Sequence, residues 1–331
     1  MKRYHYFEQP LQLFGVPLFD FEKRLQRVPD SVINAMPHID KLARRCPGAR
    51  LRFRTDSKTL RIGFTLKTLV IDRGMSIYGC QSAHVLYGDL SELHFLGLVS
   101  PKDYNTKIAE SEFSLSGDMN EIIIYLPRNE IIEDFWVETD NDASVLPCAP
   151  YIGKPIVYYG SSITEGGCAC NPFNAYNAII SNHINMDYYN LGFSNSAKGE
   201  LIMADFINSI DMSLFVYDYD HNAPNAAHLA KTHELFFKHI RKVHPELPIL
   251  ILTMPKETYT DEKERREIIF QTYKNAVDAG DKNVYFIDGE SYFGATDRYC
   301  CSIDGIHPND LGFYRMAQVI EPKIREILNL K

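Results

Sequence analysis

The sequence predicts a three-layer α/β/α domain with a parallel sheet, preceded by a β-sandwich. Three observations lead there. From Ala49 to Pro147 the chain carries short strand-like segments with turn residues nearby, the rhythm of a sandwich. After Pro147 strand-like and helix-like segments alternate, as in a parallel sheet covered on both faces. Several of the later strands also end in small polar residues, where such sheets bind ligands. The Pro-containing link LPCAPYIGKP marks the boundary, giving domains over residues 1–150 and 151–331.

In the first half, SVINAMPHIDKLARRC reads as a helix or irregular lead-in before Pro47. LRFRTDSKTLRIGFTL alternates apolar and polar positions, as half-buried strands do, with a turn at Asp-Ser-Lys. MSIYG, AHVLYGDL, NEIIIYL and DFWVETD continue the strand pattern. In the second half PIVYYG, MDYYNLGFS, SLFVYDYD, PILILTMP and NVYFIDGE read as strands. Between and after them, FNAYNAIISNHI, ELIMADFINSI and PNAAHLAKTHELFFKHIRKVHPE read as helices, as does PNDLGFYRMAQVIEPKIREIL. A further helix starts near Asp261, whose spacing to Glu264 fits a capping box, and Asn309 is an N-cap candidate for the last helix. His233, His239 and His244 share one helix but lack metal-site spacing, and are expected to face solvent.

Composition narrows the function classes. At 331 residues, 45% hydrophobic and 24% charged, the chain can bury a sizeable core. The formal charge of −8, from 35 basic and 43 acidic side chains, argues against nucleic acid or an anionic membrane as partner. The first 20 residues lack the apolar core of a signal peptide, and seven cysteines without a regular framework fit a reducing compartment, so a cytoplasmic location is expected.

The strand ends carry the chemistry. After PIVYYG come Ser161 and Ser162; after the YYNLGFS segment, Ser194, Asn195 and Ser196; after SLFVYDYD, His221 and Asn222. After NVYFIDGE comes CCSIDGIHPND, with Asp304 three residues ahead of His307. A serine needs a base to take its proton, the imidazolium needs a carboxylate, and a tetrahedral oxyanion needs N–H donors. The four strand ends hold the parts of an acyl-transfer site.

Those residues resemble the SGNH (GDSL-type) hydrolases. YYGSSITEGG looks like their first block, NLGFSN the second, DYDHN a divergent third, and DGIHPNDLGFYRMA the last Asp-x-x-His block. The resemblance runs from about Lys154 to the C-terminus, and the strand-rich first half is similar to the β-sandwich of one subgroup of carbohydrate-directed esterases. It implies Ser162 as nucleophile, His307 as general base and Asp304 as its orienting acid. It also implies an oxyanion hole from the main-chain N–H groups of Ser162 and Asn195 and the Asn222 amide, with no cofactor. Three positions depart from the pattern: Ser161 stands where the family has Asp, Asn195 where it has Gly, and the third block carries Asp220 and His221, either of which can face substrate instead.

The expected activity is hydrolysis of a short acyl ester, such as acetyl on a sugar or small metabolite. Acyl transfer at the same site, or carbohydrate binding without catalysis, are the alternatives, and homo-oligomerisation is left open. Plainer readings exist. Gly160-Ser161-Ser162 also fits a helix-capping turn, Asp304 and His307 a surface turn with a cap, Asn195 a left-handed turn and Asn222 a loop cap. Cys168, Cys170, Cys300 and Cys301 are four thiols near the expected site, but C-x-C and adjacent spacings do not suit structural zinc, so no metal is expected. Trp136 and the plentiful aromatics are read as packing more than as a sugar-stacking surface.

Overall fold

The computed structural model describes residues 1–18, 24–255 and 261–330. The chain divides into two compact units. One holds Met1–Arg27, Lys41–Ile152 and Cys170–Phe173; the other holds Val28–Asp40, Gly153–Ala169 and Asn174–Lys331.

The first unit is a β-sandwich. One antiparallel sheet runs β1 (Lys2–His5), β9 (Ile132–Thr139), β4 (Thr59–Leu66), β7 (Ile108–Ser114). The other runs β10 (Val145–Leu146), β3 (Arg50–Thr55), β8 (Asn120–Tyr125), β5 (Ala83–Asp89), β6 (Glu92–Val99), with β2 (Gln12–Phe14) also paired to β3. The turn read at Asp56-Ser57-Lys58 therefore carries the chain from one sheet to the other. Inward residues of both sheets share one core, with Phe53, Val85, Ile122 and Ile124 meeting Leu60, Ile62, Phe64, Phe135 and Val137. Trp136 is part of this packing: it is 9% exposed, lies over Gly63 and has the Arg3 guanidinium 3.9 Å from its ring. A buried pair ties down the last segment of the unit, with Arg52 Nη2 2.6 Å from Glu121 Oε1 while Ala149 N–H donates to Glu121 Oε2 at 3.1 Å.

The lead-in forms α1 (Asp30–Ala35), a single-turn 3-10 helix (Pro37–Ile39) and α2 (Asp40–Arg44). MSIYG, expected as a strand, opens a short helix instead, α3 (Ile77–Gln81). Ser76 caps it by accepting from the Gly79 N–H at 3.3 Å, so a local side chain–backbone bond overrides the weak alternation.

The second unit is the predicted α/β/α domain. Five parallel strands run in the order β12 (Tyr188–Gly192), β11 (Ile156–Gly160), β13 (Leu214–Asp218), β14 (Ile249–Leu252), β15 (Val284–Ile287). Strands β11, β13 and β14 are buried throughout, as strands covered on both faces must be. The helices are α4 (Ser162–Glu165), α5 (Tyr176–Ile184), α6 (Leu201–Asn208), α7 (Ala226–Val243), α8 (Glu262–Asp278) and α9 (Asp310–Leu328). Helix α5 packs on α9, and α6, α7 and α8 pack in series. The chain leaves β11 first towards β12 and then crosses to β13 on the other side. The end of β11 is thus the topological switch point, where such sheets open a ligand crevice.

Two local expectations change. His233 is fully buried, its ring stacked 4.4 Å from that of Tyr217 and its Nδ1 2.9 Å from Thr272 Oγ1, and burial pushes it down to about 3. It is a core residue because α7 turns that face onto the sheet. Asp261 is the N-cap residue of α8 but makes no cap bond; its carboxylate accepts from Arg265 Nε at 2.8 Å and from the Ala226 N–H at 2.7 Å. Asn309 does cap α9, accepting from the Gly312 N–H at 3.1 Å.

Candidate active site

The nucleophile candidate sits where β11 turns sharply into α4. Ser161, not Ser162, is the N-cap: its hydroxyl accepts from the Ile163 N–H at 3.1 Å. The Ser161 N–H in turn donates to Thr164 Oγ1 at 3.1 Å, completing a capping box. That arrangement leaves the Ser162 hydroxyl outside the capping bonds. As the first residue of α4, Ser162 also has a main-chain N–H with no intrahelical acceptor. Gly160 is required at the turn, since a Cβ there would lie 2.1 Å from both Asp218 O and Thr164 Oγ1.

Across the edge, the loop before α9 brings His307 to this hydroxyl. Ser162 Oγ and His307 Nε2 are 2.9 Å apart, and His307 Nδ1 is 2.8 Å from Asp304 Oδ2. A carboxylate has no proton to give, so Nδ1 carries the hydrogen and the Nε2 lone pair faces the serine O–H. Asp304 Oδ1 also accepts from the main-chain N–H groups of Ile306 at 2.9 Å and His307 at 2.8 Å. Partial burial raises its pKa, but these bonds and the His307 ring outweigh that and hold the carboxyl below its ordinary range. Serine, histidine and aspartate thus form one hydrogen-bonded line, with the acid side chain 44% exposed.

The second and third strand ends interlock. Asn195 is in the left-handed region at φ 54°, as Asn tolerates. Its N–H donates to Asn222 Oδ1 at 3.0 Å, while Asn222 Nδ2 donates to Phe193 O at 2.7 Å. The Asn195 N–H, expected to stand open towards an oxyanion, is therefore engaged by the amide expected beside it. Ser194 N–H donates to Glu165 Oε2 at 3.0 Å, anchoring the same loop to α4.

Asp220, suggested as a substrate-facing residue, is fully buried and points inward. It accepts from the Met254 N–H at 3.0 Å and faces Arg265, which also donates to the main-chain oxygens of Asp220 at 3.2 Å and Ala223 at 2.9 Å. Arg265 thereby clamps the loop carrying Asn222. Burial, with the His307 and Arg265 charges adding to it, pushes His221 down to about 3. The sequence reading missed Asp218, at the end of β13. Its Oδ2 accepts from Thr164 Oγ1 and from the Tyr176 hydroxyl, each at 2.9 Å. An acid inside the apolar run SLFVYDYD was the available signal. None of the seven cysteines forms a disulfide, and among the described residues no group of three or more His, Cys, Asp or Glu is arranged to hold a metal.

Comparison with known proteins places the chain in a family. The model of the GDSL-like lipase/acylhydrolase family matches residues 153–325, more than half of the chain. The chain belongs to that family, and is an enzyme that hydrolyses ester bonds. Among solved structures, it is similar to a protein assigned as a GDSL-like lipase from Bacteroides ovatus ATCC 8483, with TM-score 0.90 and 26% identity over 100% of this chain and 98% of the other. It also shares its fold with the salicylyl-acyltransferase SsfX3 of a tetracycline biosynthetic pathway, with TM-score 0.77 and 20% identity over 100% of both chains. A third likeness is to a family two carbohydrate esterase from Clostridium thermocellum, with TM-score 0.64 and 14% identity over 86% of this chain and 93% of that one. Among curated proteins none matches the chain.

Proposed function

We propose that this enzyme is a serine esterase that removes a short acyl group, such as acetyl, from a carbohydrate or small metabolite. The observation that carries the reading is the line from Ser162 Oγ to His307 at 2.9 Å and on to Asp304 at 2.8 Å. His307 accepts the Ser162 proton as Oγ attacks the ester carbonyl. Collapse of the tetrahedral intermediate breaks the bond to the alcohol, which leaves with the proton from His307. Water then attacks the acyl-enzyme while His307 takes its proton, and the acid is released as Ser162 regains its hydrogen. Asp304 orients the ring and stabilises its cation. The steps use only these side chains and water.

The oxyanion donors are the Ser162 N–H and the Asn222 amide, whose Nδ2 carries a second hydrogen beyond the one given to Phe193 O. The Asn195 N–H joins them by sharing or releasing its bond to Asn222 Oδ1. The substrate class is supported by the fold held in common with the Clostridium thermocellum carbohydrate esterase. The net charge of −8 disfavours nucleic acid as a partner, and no described helix is long and apolar enough to cross a membrane.

The test uses a fluorophosphonate probe and p-nitrophenyl acetate on wild type, Ser162→Ala and His307→Ala. Labelling at Ser162, with turnover lost in both variants, is the expected result. An unlabelled wild type without turnover overturns the reading. Products formed with sugar acceptors present separate hydrolysis from acyl transfer.

A further inference from the structure

The geometry points to Asp218 as a positioning residue that sets the nucleophile turn through Thr164, an inference that rests on the serine-esterase reading. The route is short. The Thr164 hydroxyl donates to Asp218 Oδ2 at 2.9 Å, and the same hydroxyl oxygen accepts from the Ser161 N–H at 3.1 Å. A hydroxyl has one proton and two lone pairs, so an acceptor-only carboxylate fixes which way it points. With its proton directed to Asp218, Thr164 presents a lone pair to Ser161, the residue immediately before the nucleophile. Reversal of that hydroxyl would aim a hydrogen at an N–H and break the capping box.

The surroundings leave little slack for another arrangement. Gly160 lies 2.1 Å, measured to the position a Cβ would take, from Thr164 Oγ1 and Asp218 O. The Thr164 carbonyl receives Asn177 Nδ2 at 2.7 Å and Asn190 Nδ2 at 2.8 Å, so Thr164 is held at both ends. Tyr176 is the second donor to Asp218 but has no bond to the turn itself.

The acid is also placed to titrate in a useful range. Burial pushes Asp218 up to about 7, with the Tyr176 and Thr164 hydroxyls lowering it and nearby Asp220 raising it. The groups facing it are Thr164 from α4, Tyr176 from α5, Asp220 beyond β13, and Tyr292 after β15, whose own pKa is raised by burial and by the Asp218 charge. Arg265 and Arg266 on α8 act on Asp220 behind it. Ionised Asp218 can only accept, whereas the protonated form can donate, so the grip on Thr164 strengthens as pH rises through this range.

The experiment follows wild type, Asp218→Asn, Thr164→Val, Thr164→Ser, the Asp218→Asn/Thr164→Val double variant and Tyr176→Phe. For each, fluorophosphonate labelling rate and kcat and KM for p-nitrophenyl acetate are measured from pH 5.5 to 8.5, well below the melting temperature. Misplacing a reacting group is expected to lower kcat and labelling about tenfold in Asp218→Asn and Thr164→Val with KM nearly unchanged. Thr164→Ser restores the rate, and the double variant loses no more than either single one, since both act on one route. Tyr176→Phe, which keeps the Thr164 link, stays within about threefold. In Thr164→Val the acid-side fall of kcat loses the component that Asp218 contributes. If wild type labels but the Asp218 and Thr164 variants match it, or lose only melting temperature, the positioning role is overturned and the esterase reading stands. If their losses add, the route through Thr164 is overturned. If wild type itself does not label, the esterase reading falls and takes this inference with it.

Discussion

Two loops present the two proposed reacting groups, and they are held in opposite ways. The turn bearing Ser162 is fixed from the interior: Thr164, Asp218, Asn177 and Asn190 are all buried, and Gly160 and Gly192 leave no room for a side chain. The loop bearing His307 is fixed at the surface, by a carboxylate that is 44% exposed and by the Asn309 cap of α9. Each loop uses an aspartate, with opposite consequences. Asp304 is held below its ordinary range by N–H donors and the imidazole, whereas desolvation carries Asp218 up to about 7 despite two hydroxyl donors. Hydrogen bonds to a carboxylate do not by themselves decide its charge; access of water does. An acid that must stay ionised beside an imidazolium does well near solvent.

The largest effect is expected at the proposed nucleophile and base, where Ser162→Ala or His307→Ala lowers kcat by roughly 10⁵–10⁶, read from p-nitrophenyl acetate turnover. Asp304→Asn keeps the shape but favours the wrong imidazole tautomer, and is expected to lower kcat by roughly 10³–10⁴ with little change in melting temperature. Asn222→Ala removes a proposed oxyanion donor and frees the Asn195 loop; a loss of about 10²–10³ in kcat is expected, and an unchanged kcat would remove Asn222 from the site.

Stability sharpens the contrast further. Asp218 titrates at about 7 in the fold, against its ordinary value of 3.8. Between those values the folded state keeps a proton that the unfolded chain has released, so this contribution is full at low pH and is lost as pH rises through 7. Asp220, pushed up to about 6 by burial, acts in the same direction. Asp304 has the opposite sign: its contribution is present at neutral pH and is lost as pH falls through its depressed value. Replacing Asp218 with Asn should therefore flatten the decline in stability between pH 5 and 8 by about 2 kcal/mol, measured by urea unfolding at the two pH values. The smallest effect is expected at Asn309→Ala, about 1 kcal/mol from loss of the α9 cap, seen as a lower urea midpoint at unchanged slope.

Much of the fold was legible because its signals are local. Apolar runs such as PIVYYG and ILIL need both faces covered, and the five strands and intervening helices of the second unit follow from that rhythm. The residues of the candidate site were legible as strand-end polar groups in a known order of blocks. Misreadings came where local chemistry competed with pattern or where burial decided. Ser76 turned MSIYG into a helix; His233 met the sheet instead of solvent; the Asp261 carboxylate found the Arg265 side chain and the Ala226 N–H in place of the first N–H groups of its helix. The engagement of the Asn195 N–H by Asn222 lay beyond reading, because it depends on two strand ends 27 residues apart meeting at 3.0 Å.

Local pattern alone fixes the order of strands and helices, the residue types at each strand end and the three-residue spacing of Asp304 and His307. These are set by periodicity and by chemistry that acts over a few residues. Folding in three dimensions is what brings Ser162 and His307, 145 positions apart, within hydrogen-bonding distance, and Asp218 to Thr164 beneath them. Partnership and burial are properties of space, and a charge takes its character from the water and dipoles that folding leaves around it.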